Sequence, residues 1–359
     1  MRLIALLLVT LSVSAQDVLT IGSGSAASGG TVSLPISIRD ATGTVLGTDA
    51  GTGQRIQSIA FKVMFPASQV SAISFTRAGV IASLTPLYET TLQGSGWLSY
   101  VVSFSELTNA IPFPPNTNAQ VGTLSVTLSA QAAAGSTVPL TLHPPSAVLS
   151  NQAGSTVETI ATGALSLVNG SISVVLGIPS NVVATATGTT QVDVTWNAVT
   201  NADHYEVWRS VDGGAYGSAG TPAGTSLSDT SVVAGKTYLY KVRAVDAAIT
   251  SGFSSVDPAT TILFTDDPLV AQSTLVKTIH FTQLRSAVNA FRVSAGLAPL
   301  ASDPSVATGL TVQAHHVTDL RTALDAARSA ATVSPLTYTD VVPAVIKAVH
   351  VEQLRNGVR

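Results

Sequence analysis

From Asp17 to about Val175 hydrophobic and polar positions alternate with period two and are interrupted by clusters of Gly, Ser, Asn and Pro. That is the pattern of half-buried antiparallel strands in a sandwich. It predicts strands over Val18–Ile21, Thr31–Ile38, Ile56–Phe65, Val70–Phe75, Trp97–Phe104, Val121–Leu128, Thr137–Leu142 and Ala164–Val175. In Val32-Ser33-Leu34-Pro35-Ile36-Ser37-Ile38 the aliphatic side chains fall on one face and the hydroxyls and Pro35 on the other, whereas a helix would need apolar residues every three or four positions. From about Thr274 the period becomes helical and the sequence repeats: Val276-Lys277-Thr278-Ile279-His280-Phe281-Thr282-Gln283-Leu284-Arg285 aligns with Val312 to Arg321 and with Ile346 to Arg355. The repeated histidines stand 36 and 34 residues apart, the length of a helical repeat unit. Each lies four residues before a Leu and so shares a helix face with it.

A short basic start, Met1-Arg2, precedes an apolar run from Leu3 to Val13 and the small residues of Val13-Ser14-Ala15. This is the order of a secretory signal peptide, with cleavage expected after Ala15. A transmembrane anchor would need about 20 apolar residues, and the polar sequence from Gln16 arrives too early for that. Charged residues are 10% of the 359 and hydrophobic ones 45%, so Ser, Thr, Asn, Gln and Gly must cover the surfaces, as in secreted β-proteins. A net charge of −3 lacks the basic footprint of nucleic-acid binding. The chain has no cysteine. Disulfides, thiolate metal sites and a Cys nucleophile are thereby excluded, and the folded state must rest on packing.

Several segments resemble known families. Val32 to Ile38, then Ile59-Ala60-Phe61-Lys62-Val63-Met64-Phe65-Pro66, Val70 to Phe75 with Gly79, Val121 to Leu128, and the closing Val168-Asn169-Gly170-Ser171-Ile172-Ser173-Val174 are together similar to the cohesin and carbohydrate-binding-module type of sandwich. That resemblance implies a dockerin partner carried by another protein, because this chain has no duplicated Asp-rich calcium loop of its own. Pro179-Ser180-Asn181-Val182, Val192-Asp193-Val194-Thr195-Trp196, His204 to Arg209 and Gly235 to Val245 resemble a fibronectin type III domain. The resemblance gives Trp196 the inter-sheet core and Tyr238 the tyrosine corner. The His-x-x-x-Leu-Arg repeat resembles C-terminal modules of exported bacterial surface proteins.

Candidate chemistry is sparse. Trp97, Tyr88 and Tyr100 lie near one another in sequence and are the candidates for ligand binding, since flat rings stack on the apolar face of a pyranose; core or edge packing is nevertheless the expected role, as it is for Trp208 and Tyr216. His280, His316 and His350 invite a metal reading. A residue repeated in tandem helices is expected wherever each helix starts and packs alike, and a structural role, whether capping or hydrogen-bonding a neighbour, is therefore expected. Arg285, Arg321 and Arg355 are expected to pair with acids or helix C-termini. The loop Asp40 to Gly53 carries Asp40 and Asp49, two carboxylates where calcium takes six to eight oxygens; an ordinary hairpin loop is expected, with calcium the alternative and no other cofactor. Asn169-Gly170-Ser171 reads as a turn between strand halves. Paired catalytic carboxylates, a Gly-x-Ser-x-Gly elbow, a P-loop and a His-Glu-x-x-His helix are all missing from credible contexts, so no enzyme is expected.

The expected architecture is mainly β: signal peptide 1–15, cohesin-like antiparallel β-sandwich 16–176, fibronectin type III immunoglobulin-like sandwich 177–264, and a small α-helical repeat module 265–359. The expected function is non-catalytic binding or scaffolding, secreted or at the bacterial cell surface, with a polysaccharide or another surface protein as ligand. No nucleic-acid partner and no transmembrane segment after signal cleavage are expected. The first domain would recognise, the second space, the third attach. A carbohydrate-targeting accessory subunit of a secreted polysaccharide-degrading system is the alternative.

Overall fold

The computed structural model describes residues 15–247, 249–270, 275–301, 312–339 and 346–359; the expected signal peptide falls, but for Ala15, outside the described residues. The fold is mainly β, with sandwiches followed by helices, and the chain divides into two compact units, Met1–Val175 and Leu176–Arg359.

The first unit stacks two sheets. One has the order β12 (Leu165–Val168), β1 (Asp17–Ile21), β3 (Thr31–Arg39), β8 (Asn118–Leu128) and β5 (Val70–Arg77). The other runs β11 (Val157–Glu158), β10 (Val148–Ser150), β4 (Ser58–Met64), β9 (Thr137–Leu142), β13 (Gly170–Val175) and β2 (Gly24–Ala27). On the opposite edge of β4 it is extended by β7 (Trp97–Ser103), which in turn pairs with β6 (Tyr88–Gly94). Alternating residues turn inward: Leu19, Ile36, Ile59, Phe61, Val63, Leu98, Val102, Leu124 and Val126 are all buried in one core. Each contributes about 1.5–3 kcal/mol, which is how a fold without disulfides holds.

Most ladders are antiparallel, but β1 runs parallel to β12 and β2 parallel to β13. The two ends of the unit lie side by side and pass together from one sheet to the other. The sequence pattern predicts a single strand over Ala164–Val175; the structure interrupts it at Asn169 because its halves belong to different sheets. At this crossing a Cβ on Gly170 would sit 2.4 Å from the Gly22 carbonyl oxygen, which requires glycine. Asn169 closes the corner by accepting the Leu142 N–H at 2.8 Å.

The second unit begins with a sandwich. Its smaller sheet has the order β14 (Val183–Ala186), β15 (Val192–Thr195), β18 (Ser226–Asp229). The larger has β17 (Gly217–Gly220), β16 (His204–Val211), β19 (Thr237–Asp246) and β20 (Ile249–Thr250), with β21 (Asp257–Thr260) also on β19. Trp196 is buried with its ring 5.3 Å from that of Tyr205. The Val233 N–H donates to the Tyr238 hydroxyl at 2.8 Å, the hydrogen bond of a tyrosine corner.

Three helices follow among the described residues: α1 (Thr278–Ser294), α2 (Ala314–Ala330) and α3 (Ala348–Gly357). They are not separate from the sandwich. Leu239 of β19 shares one buried core with Phe281, Leu284 and Phe291 of α1, Leu320 of α2 and Leu354 of α3. The Ser294 hydroxyl donates to the Thr237 carbonyl at 2.5 Å and accepts the Asp212 N–H at 3.2 Å.

Candidate functional site

The candidate ligand aromatics all fall on the β6–β7 hairpin, and the hairpin separates them. Tyr88 stands opposite Ser103, Thr91 opposite Tyr100 and Gly94 opposite Trp97. Because side chains alternate along a strand, Tyr88 and Trp97 share the outer face while Tyr100 turns inward. Tyr100 is only 1% exposed, its ring 4.2 Å from Phe75 and its hydroxyl donating to Glu89 at 2.9 Å; it is a core residue and cannot reach a ligand. Trp97 is partly buried, its ring packed over Gly94 on one side and met by the Lys62 ammonium 4.7 Å from its centre. Tyr88 is 57% exposed. Six strand positions separate Tyr88 from the level of Trp97, about 20 Å at the usual rise, so the trio forms no continuous aromatic platform.

The hairpin instead contributes to a flat outer sheet face. Leu92, 60% exposed, lies between Tyr88 and Gly94 on this face. Ser99 and Val101 follow Trp97 along β7, and Ala60, Lys62 and Met64 of β4 pair beside them. Lys62 is the charge in this set. Next to the hairpin turn, a groove of about 420 Å³ lies between the start of β5 and residues 93–96, lined by Phe65, Val70, Ser71 and Gln93 among others. In the second unit, Trp208 and Tyr216 are each engaged by a cation, Arg243 at 5.7 Å and Lys241 at 4.1 Å from the ring centres.

The loop after β3 is held by its own acids. Asp40 accepts the Thr48 N–H at 3.0 Å and the Thr48 hydroxyl at 3.2 Å, and Asp49 accepts the Gly43 N–H at 2.8 Å. Beneath the loop lie two carboxylates that the sequence reading did not single out. Asp17 and Glu158 are each 0% exposed. Asp17 Oδ1 accepts the Ala41 N–H at 2.8 Å and Glu158 Oε1 the Leu46 N–H at 2.9 Å, while Asp17 Oδ2 and Glu158 Oε2 have no hydrogen-bond partner. Burial, and then the neighbouring Glu158, push the Asp17 carboxyl up to about 8. Burial likewise raises Glu158. A signal was present: Asp17 occupies an inward position of an alternating strand, on the face of Leu19 and Ile21.

The three repeated histidines are buried at the third position of their helices. Nδ1 of His280, His316 and His350 accepts the backbone N–H of Lys277, Gln313 and Lys347 at 3.1, 3.0 and 3.2 Å. This is the role Glu or Gln plays in a capping box. One ring nitrogen of each is thus occupied at a helix start, and among the described residues no three His, Cys, Asp or Glu side chains gather in a metal-binding arrangement. The repeated arginines go to carbonyls and to one another's segments: Arg285 donates to Ala301 at 2.9 Å, and Arg355 to Thr265 at 2.7 Å and Asp266 at 2.9 Å. Arg321 donates to Gln353 at 2.9 Å and lies 4.3 Å over the Tyr338 ring.

No family model matches the chain. It is 36% identical over 120 residues to a poly(3-hydroxybutyrate) depolymerase of Ralstonia pickettii, covering 33% of this chain. It is 40% identical over 82 residues to an amylopullulanase of Thermoanaerobacterium saccharolyticum, covering 22% of this chain. The chain spans 21% and 6% of the lengths of these relatives. Among solved structures it is similar to a cohesin bound to a dockerin, from Acetivibrio cellulolyticus, at 19% identity and a TM-score of 0.35, covering 45% of this chain and 99% of that one. It is also similar to a fibronectin-type-III-like protein of Clostridium thermocellum, at 30% identity and a TM-score of 0.22, covering 23% and 88%. No helix among the described residues is long and apolar enough to cross a membrane.

Proposed function

We propose that this is an exported, non-catalytic binding and scaffold protein of the bacterial cell surface, whose first unit recognises another protein through the outer face of β6, β7 and β4. The observation that carries this reading is that face: Tyr88 and Leu92 are 57% and 60% exposed beside half-buried Trp97, Val101, Ala60 and Met64. A flat, weakly charged surface with exposed apolar side chains and an aromatic anchor is suited to a protein partner. The resemblance of the sequence to cohesins points to the same class of partner, with a dockerin-type module as the first to try. The second unit, in which the sandwich and the helices share one core, would act as a spacer joined to a helical end. The 82-residue stretch shared with the amylopullulanase is about the size of one sandwich domain, which supports a shared accessory module rather than a shared catalytic one.

A second reading rests on the exposed ring of Tyr88: a glycan ligand, with the chain as targeting subunit of a polysaccharide-degrading system. Immobilised dockerin modules and insoluble glycans, offered side by side to the purified chain, separate the two. Retention on protein and not on glycan is expected. Trp97→Ala should weaken that retention by about 2 kcal/mol, roughly 30-fold, as for an aromatic anchor, and Leu92→Asp should weaken it too. Retention on glycan alone, lost with Tyr88→Ala, would establish the second reading instead.

A further inference from the structure

Two carboxylates enclosed in a protein interior demand compensation, because an ionised acid without a counter-charge is expensive to bury. Asp17 and Glu158 lie within hydrogen-bonding reach of each other, and among the described residues neither pairs with a Lys, Arg or His. Both are fully enclosed, and each keeps one oxygen with no donor to meet it. The surroundings add acceptors rather than donors. The Thr44 hydroxyl has one proton, yet the carbonyls of Leu46 at 2.5 Å and Ala41 at 2.9 Å and the Asp17 carboxylate at 3.4 Å all crowd its oxygen. Backbone N–H groups serve one oxygen of each acid and leave Asp17 Oδ2 and Glu158 Oε2 without a hydrogen-bond donor.

We propose that Asp17 and Glu158, with the Thr44 hydroxyl and the carbonyls of Ala41 and Leu46, form a binding site for one divalent cation of the calcium type. Two carboxylates balance its charge, and a hard, all-oxygen set without nitrogen or sulfur is what calcium takes. The site unites the first strand, the loop after β3 and β11. The loop supplies neutral oxygens, whereas the acids come from positions 17 and 158; Asp49 holds the Gly43 N–H and Asp40 Oδ2 holds Thr48, while Asp40 Oδ1 is buried without a hydrogen-bond partner at the edge of the site. In a chain with no cysteine, such an ion would staple distant segments as a disulfide does elsewhere. Its affinity is expected in the range of extracellular modules, about 10⁻⁴ to 10⁻³ M.

The full chain, stripped with EGTA and titrated calorimetrically with CaCl₂, should show one saturable site and a melting temperature that rises with calcium. Calcium should also slow amide hydrogen exchange at residues 41–46 and 157–159, which locates the site without any substitution. Asp17→Asn and Glu158→Gln should each abolish the calcium response without lowering the melting temperature in EGTA, since each replaces a carboxyl whose charged form burial already disfavours with a neutral group of the same shape. The proposal is overturned if the unsubstituted chain takes up no calcium at millimolar concentration; a stability that falls as pH rises from about 4 to 8 would then be that of two acids sharing a proton. Calcium binding that leaves exchange at these residues unchanged overturns it equally.

Discussion

Asp229 accepts four hydrogen bonds, from Arg209 at 2.6 Å, the Tyr240 hydroxyl at 2.9 Å, and the N–H and hydroxyl of Ser231 at 3.0 and 2.7 Å. Burial, the largest influence, would raise its carboxyl, but these donors outweigh it and hold the group below the ordinary carboxylate range. The stability this contributes is complete above the unfolded value near 3.9 and is lost as pH falls through the lower folded value. Asp229→Ala should therefore cost about 3 kcal/mol in urea unfolding at neutral pH, the cost of breaking a largely buried ion pair. Asp229→Asn should flatten the acid limb below about pH 4. Sequence could not single this residue out, because its partners come from three other strands or turns. Trp196 packs on Tyr205 and the Tyr238 hydroxyl accepts the Val233 N–H, contacts that local spacing along the chain makes possible. Tyr100, a ligand candidate by sequence, is instead a core residue, because the pairing of β7 with β4 and β6 decides which way its ring turns.

At the level of the element, the repeated histidines show how a helix start can carry a proton switch. The His280 Nδ1 can accept the Lys277 N–H only while unprotonated, so its other nitrogen bears the hydrogen that meets Asp266 at 3.2 Å. Burial first, opposed by Asp266, lowers the affinity of this ring for a second proton. A depressed folded value means that the contribution is present above the unfolded value near 6.5 and is lost as pH falls below it. Urea unfolding followed by far-ultraviolet circular dichroism should show helix α1 weakening as pH falls below about 6.5. His280→Gln should keep the cap and remove that dependence, and His280→Ala should cost about 1 kcal/mol at neutral pH. The repeat itself was legible from its period. Strand β6 was not: Tyr88-Glu89-Thr90-Thr91-Leu92-Gln93-Gly94 has no run of buried apolar positions, and it is a strand only because the hairpin pairs it with β7.

For the whole molecule, the arginines of the helical repeats close a ring. Arg285 of α1 holds Ala301 on the chain before α2, Arg321 of α2 packs on Tyr338 before α3, and Arg355 of α3 grips Thr265 and Asp266 before α1. Arg355 is fully enclosed. Its truncation leaves two carbonyls and Glu352 without their donor, and Arg355→Ala should cost about 3 kcal/mol or more. Because α1 also shares its core with β19, that loss should appear in the same transition that melts the second sandwich. Calorimetry of the full chain should accordingly resolve two transitions, one per compact unit, rather than three. Three transitions, with Arg355→Ala moving only one of them, would show that the helices fold apart from residues 177–264.

The alternation of Val32 to Ile38, the strand-ending Gly and Asn residues, and the His-x-x-x-Leu-Arg period determine by themselves that this chain builds sandwiches and then helices, since periodicity states which side of an element must be buried. The absence of cysteine determines that packing, and no disulfide, must hold the fold together. What the sequence alone leaves open is which polar residues meet. Asp17 and Glu158 are 141 positions apart, and the strand predicted over Ala164–Val175 changes sheets at Asn169. Proximity between such groups is created by the closing of one sheet on another, and no local pattern encodes it.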